Sequence, residues 1–164
     1  MPRTPLGWAL TIGLPALAVA IAVALAGGGN SGPDVQAEAS AVCANAQRAL
    51  AQLPMPPRSI AEGLEIEHRM LAIYRRELSE LEVLAPRAGE SFQAGLADDQ
   101  SLLAGLSSMV ARPDFVRLSL TLPGHPSLVP SWLKRWLARE QSLLAKAHAQ
   151  FSQAGVPACE KSLG

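Results

Sequence analysis

Apolar side chains follow two rhythms along this chain. The first is unbroken, because Leu6 to Ala26 carries no charged residue. The second begins at Asp34 and is a helical beat, with apolar positions three or four residues apart and polar ones between them. Val35, Val42, Ala46, Ala49, Leu50 and Leu53 predict a first amphipathic helix from Asp34 to about Leu53, with Cys43 at the margin of its apolar face and Pro54-Met55-Pro56-Pro57 ending it. Ser59 followed by Glu62 has the capping-box spacing and opens a second helix, from Ile60 to about Ala85. Its apolar face is Ile60, Leu64, Met70, Leu71, Tyr74, Leu78 and Leu81. Its other side carries Glu65 with Arg69 and Arg76 with Glu80, opposite charges four apart.

A turn at Pro86 to Gly89 precedes a third helix, from Glu90 to about Ala111, marked by Phe92, Leu96, Leu102, Leu103, Leu106, Met109 and Val110 and stopped by Pro113. Ser131 reads as the N-cap of a fourth, running to about Ala154 with Leu133, Trp136, Leu137, Leu143, Leu144, Ala147 and Phe151 on one stripe. Gly155 then Pro157 close it in the order expected past a helix C-terminus. Between the third and fourth helices, Val116, Leu118, Leu120 and Leu122 alternate with Arg117, Ser119 and Thr121, a period of two. A lone strand has no partner, so the segment is expected to be an extended crossover, with a short helix or an edge strand as alternatives. The fold class that follows is all-α, an antiparallel four-helix bundle over residues 34–164 with one long crossover before the last helix.

The uncharged run changes the setting of that bundle. Its 21 residues would span roughly 31 Å as a helix, close to the hydrocarbon thickness of a bilayer. Arg3 precedes it and no Lys or Arg follows until Arg48, so positive-inside bias leaves the amino terminus cytoplasmic and exports the rest. Residues 1–26 are therefore expected to be a single-pass transmembrane anchor. The alternative is a signal peptide cleaved at Ala24-Leu25-Ala26, leaving a secreted domain. Gly27 to Pro33 then forms a Gly-rich linker.

Past Ala26 stand 13 basic side chains against 14 acidic ones, a formal charge of −1. That balance argues against nucleic acid as a partner, and no run of like charge suggests a polybasic membrane patch. Arg in excess of Lys and a high Ala content point to a GC-rich bacterial genome. Export places Cys43 and Cys159 in an oxidising compartment, where a disulfide between them is expected to tie the first helix to the tail of the fourth.

Candidate chemistry is sparse. There is no GxSxG, P-loop or HExxH motif. The histidines, His68, His125 and His148, offer no pair at helical spacing for a metal. Turning each helix by 100° per residue puts Glu67, Asp99 and Glu140 near the middle of three apolar faces, where each needs a partner or a raised pKa. Antiparallel helices would let Glu67 and Glu140 face one another, with Asp99 nearer the other end. Glu65-Ile66-Glu67-His68 carries an E-x-x-H spacing that resembles one element of the carboxylate-bridged metal sites of ferritin-like bundles. The resemblance covers four residues and implies a metal or small-ligand site around Glu67 and Glu140, although Leu143, three past Glu140, stands where a second His would be needed.

Trp132 and Trp136 share one side of the fourth helix and read as core, with a partner anchor as the alternative. The functional expectation is a non-enzymatic, membrane-tethered, extracytoplasmic module of a bacterial cell envelope, with a binding or structural role and no cofactor. Its partners are the bilayer, through residues 6–26, and an envelope protein.

Overall fold

Local cues mark several of the helix ends. The computed structural model describes residues 31–161 apart from 56, 58, 113 and 116–128. The apolar run Leu6–Ala26, the alternating Val116–Leu122 and the His125 turn lie outside the described residues. Helix α1 (Pro33–Ala51) starts one residue before the predicted Asp34, with Pro33 in its first turn, where a missing N–H costs nothing. Helix α2 (Ile60–Leu84) opens on Ser59, whose side chain accepts the Glu62 backbone N–H at 3.1 Å. A 3₁₀ turn, Ala85–Arg87, carries the chain into helix α3 (Glu90–Val110). Asp114 and Phe115 are again helical. Helix α4 spans Ser131–Gln153. Ser131 is its first helical residue and not its cap, because Pro130 occupies the N-cap position and no side chain caps the helix.

The C-terminal end of α4 is a Schellman motif. Gly155 takes φ 80°, its N–H donates to Ser152 O at 3.0 Å, and the Val156 N–H donates back to Phe151 O at 2.9 Å. Phe151 and Val156, the residues such a motif brings into contact, are both completely buried. The turn redirects the chain into a second 3₁₀ segment, Pro157–Lys161, which packs against both α1 and α4.

The four α-helices form an all-helical bundle in which α1 packs on α2, α2 on α3 and α3 on α4. Among the described residues there is no strand. Polar cross-links give the directions. Arg87, after α2, pairs with Glu38 near the start of α1, and Glu82 accepts from Gln100 while Arg75 donates to Ser107. Gly95 and Gly105 of α3 meet Phe151 and Glu140 of α4 in that order. Consecutive helices are thus antiparallel.

The apolar interior is stacked in three parts along the bundle. At the end where α1 begins, Val35, Ala39, Leu81, Leu84, Leu96, Val156 and the edge-to-face pair Phe92 and Phe151, with centroids 5.5 Å apart, make the largest cluster. Tyr74, Leu102 and Leu144 form the middle. Met109 and Leu133 close the other end beneath the half-buried Phe115, Trp132 and Trp136. Cys43 and Cys159 lie inside the first cluster at disulfide-bonding distance, their Cα atoms 5.1 Å apart across 116 positions of sequence.

Two substitutions measure what this closure contributes. Gly155→Ala forces a side chain into the left-handed region and against the Gln36 amide, and is expected to cost about 1–2 kcal/mol, read as a lower urea midpoint. Replacing both cysteines by Ala releases a loop of more than 100 residues and is expected to remove about 4–5 kcal/mol, the chain-entropy contribution of a cross-link of that span. Unchanged unfolding curves in either variant would contradict the closure described.

Candidate functional site

Buried carboxylates are the chemically unusual feature of the interior, since each must be paired, hydrogen-bonded or neutral to sit there. Glu77, Asp99 and Glu140 are buried polar residues at 4%, 3% and 7% exposure, whereas Glu67 is half-buried. Helical geometry explains their positions. Glu77 lies three residues past Tyr74 and four before Leu81, on the same stripe. Asp99 lies three past Leu96 and three before Leu102, and Glu140 four before Leu144.

Electrostatics tie two of these acids together. Asp99 is pushed up to about 8, first by burial and then by the charges of Glu77 and Asp98, so at neutral pH its carboxyl is mainly protonated. Tyr74 is raised by burial and by the charges of Glu77 and Glu67, so its phenol stays neutral. Tyr74, Glu77 and Asp99 thus form one acidic region between α2 and α3. Glu77 has no place in the predicted set, although its i, i+3, i+7 relation to Tyr74 and Leu81 marks it as inward-facing.

Glu140 is housed differently. Its carboxylate rests on Gly105 of α3, so closely that a Cβ there would lie 2.8 Å from Oε1 and 2.9 Å from Oε2. Oε2 is buried without a hydrogen-bond partner, and burial raises the group's pKa against the opposing charge of Arg139. Of the α3 hydroxyls near Gly105, Ser108 donates to Gly105 O at 2.8 Å and Ser107 accepts from Arg75 at 3.2 Å, and neither donates to Oε2.

The helix register separates Glu140 from Glu67. Arg75 of α2 meets Ser107, two residues from Gly105, so the level of Glu140 is reached on α2 near Arg75 to Glu77. Glu67 lies eight residues before Arg75, roughly 12 Å further along the axis. What acts on Glu67 is burial, which raises it, and neighbouring His68, which lowers it. Asp99, next to the Gln100 that donates to Glu82, lies towards the other end of α2 from Glu67, where the charge of Glu77 acts on it. Glu65 is exposed and paired with Arg69, and His68 is exposed, so the E-x-x-H pair projects away from the core.

No group of three or more His, Cys, Asp or Glu among the described residues has the geometry to hold a metal ion. A shallow cavity of about 160 Å³ lies between Pro54 and the Glu62, Glu65, Ile66 and Arg69 side chains, apart from the buried acids. Trp132 and Trp136 are half-buried. Trp136 takes an edge contact from Phe115, with centroids 6.0 Å apart, and the Arg112 guanidinium stacks on Trp132 at 4.4 Å. His148 is lowered by burial, with Glu160 acting in the opposite sense. Compared with protein-family models, curated proteins and solved structures, the chain gives no match.

The buried acids make stability depend on pH in a definite sense. Asp99 is raised from 3.8 to about 8 on folding, so between these values the folded chain holds more protons than the unfolded one. Stability therefore falls as pH rises, and the loss is complete above the folded pKa. His148, lowered from 6.5, acts with the opposite sign below that value, and Glu67 and Glu140, also raised by burial, act with the same sign as Asp99, so the window free of the opposing contribution is about 6.5 to 8. Urea midpoints are expected to drop across it. Asp99→Asn, which stays neutral throughout, is expected to flatten the profile; an equal slope in the variant would remove Asp99 as the cause.

Proposed function

We propose that the chain is a non-enzymatic, extracytoplasmic helical module of a bacterial cell envelope, an antiparallel four-helix bundle held at the membrane by Leu6–Ala26 through the Gly-rich linker. The observation that carries this reading is the cysteine pair. Cys43 and Cys159, at 0% and 2% exposure, meet at bonding distance and close the domain end to end. Covalent closure of this kind forms and persists where the surroundings are oxidising, which is the side of the membrane to which the charge flanks of Leu6–Ala26 assign the bundle. No described helix is long and apolar enough to cross a membrane, so the spanning role in this proposal rests on Leu6–Ala26.

A structural use of the buried acids also favours a binding or spacing role. Asp99 is mainly protonated at neutral pH, and Glu140 is fitted to a glycine. The ferritin-like alternative requires Glu67 and Glu140 to share a ligand, whereas the register holds their levels roughly 12 Å apart.

Expression of the full chain in a bacterium, followed by fractionation and protease treatment of spheroplasts, tests the reading. The expected result is an alkali-resistant membrane protein whose bundle is digested from outside and contains no free thiol. Intact mass distinguishes retention of residues 1–26 from cleavage near Ala26. A soluble, cytoplasmic protein with two free thiols would overturn the proposal.

A further inference from the structure

Helix α4 brings together charges that are scattered in sequence. Lys134, Arg135, Arg139 and Lys146 are all exposed, and the only acid of α4, Glu140, is buried. At 100° per residue, Arg135, Arg139 and Lys146 fall within about 40° of one another around the axis, and Lys134 flanks them on the solvent side. The surface between them is small and flat, made by the exposed Ala138, Ser142, Ala145 and Ala149.

Helix α3 extends the strip. Arg112 beyond its end is exposed and stacks on Trp132 in the first turn of α4. Of the α3 acids, Asp99 is buried, Asp98 is half-buried and Glu90 lies at the far end of the helix, while past α3 the exposed Asp114 stands two residues from Arg112. The ion pairs among the described residues join Arg69 to Glu65, Arg76 to Glu80 and Arg87 to Glu38, and none involves these cations. Near-neutral overall charge therefore conceals a face of α4 whose exposed charges are all cationic.

We propose that this face, Arg112, Lys134, Arg135, Arg139 and Lys146, docks on the anionic headgroups of the membrane to which the chain is tethered, so that the bundle lies on its side along the bilayer. The proposal rests on the tethered reading above. Three features favour lipid over a protein partner. The face lacks the concave apolar centre that anchors a protein interface, since Ala and Ser separate its cations. The half-buried Trp132 beside Arg112 joins an amphipathic ring to a cation, the combination that settles at headgroup depth. Ser31 is buried and its hydroxyl accepts the Gly89 N–H, so only residues 27–30, roughly 14 Å when extended, separate Leu6–Ala26 from the bundle; a membrane held there lies close to the end where α1 begins, and a bundle lying on its side brings the rest of the face to it. Lys and Arg side chains near an anionic surface gain attraction that fades within a Debye length, which sets the salt dependence expected.

The test uses the full chain reconstituted into vesicles of phosphatidylcholine alone or mixed with phosphatidylglycerol. Flotation reports anchoring, and amine labelling read by mass spectrometry reports the exposure of Lys134 and Lys146. Docking is expected to slow labelling of both about threefold or more in the phosphatidylglycerol vesicles at low salt, with recovery at high salt. Arg135→Glu with Arg139→Glu is expected to abolish the difference. If that variant fails to fold by circular dichroism, Arg135→Gln with Arg139→Gln carries the same comparison and is expected to lose most of the protection.

Flotation in both vesicle types with equal labelling overturns docking and leaves the tether standing. Flotation only with phosphatidylglycerol, reversed by salt, supports docking and overturns the tether. Flotation in neither overturns both. Protection by soluble polyglutamate but not by the vesicles overturns the lipid assignment in favour of an acidic polymer.

Discussion

The bundle depends on one constraint: the end of the chain must return to its first helix. Helices α2, α3 and α4 each pack on the element before them, but α1 and α4 are not consecutive, and much of the gap between them is filled by Ala154 to Lys161. Ala154 and Val156 are completely buried and Cys159 nearly so. Side chains of α1 receive the returning backbone: Gln36 donates to Ala154 O at 3.2 Å and Gln47 to Ala158 O at 2.7 Å. The left-handed turn at Gly155 aims this segment inward. Without it, the buried face of α1, namely Val35, Ala39 and Cys43, would lack part of its cover.

The acids inside the bundle show a second economy. A carboxylate left charged in this interior would oppose folding, and two different solutions are used. Asp99 takes up a proton, its neighbours Glu77 and Asp98 making ionisation harder still. Glu140 instead occupies space that Gly105 leaves open, so the approach of α3 to α4 is set at that level by a residue with no side chain. Swapping these helices out of register would bring Glu140 against a side chain, which makes the contact a device for alignment as well as a cost.

Most of the architecture was legible because it is written locally. Ser59 with Glu62, the prolines, Gly155 and the apolar stripes each act over a few residues, and the helix ends fall within about two positions of those cues, in keeping with the usual spread of helix assignments. The cysteine pairing was legible because two cysteines have one partner each. The site was less so, because it depends on register between helices, which no local pattern encodes. Face-centre arithmetic placed Asp99 and Glu140 inside correctly, but pairing Glu140 with Glu67 needed an axial alignment that the Arg75 and Ser107 contact sets otherwise. Glu77 lies at the edge of the α2 apolar stripe, beside Leu81, and not at its centre, so face-centre arithmetic passed over it. The cationic face of α4 was hidden because its members are spread over 13 residues, from Lys134 to Lys146, and become neighbours only once wound on a helix.

The separation of Cys43 from Cys159 also orders events in time. A chain emerging from its amino-terminal side presents Cys43 first, and its only possible intramolecular partner arrives 116 positions later. Until then no wrong internal pairing is available, and the hazard for Cys43 is a thiol on another molecule. The cross-link can form only after every helix of the bundle has been delivered, so a chain stalled before Cys159 lacks it.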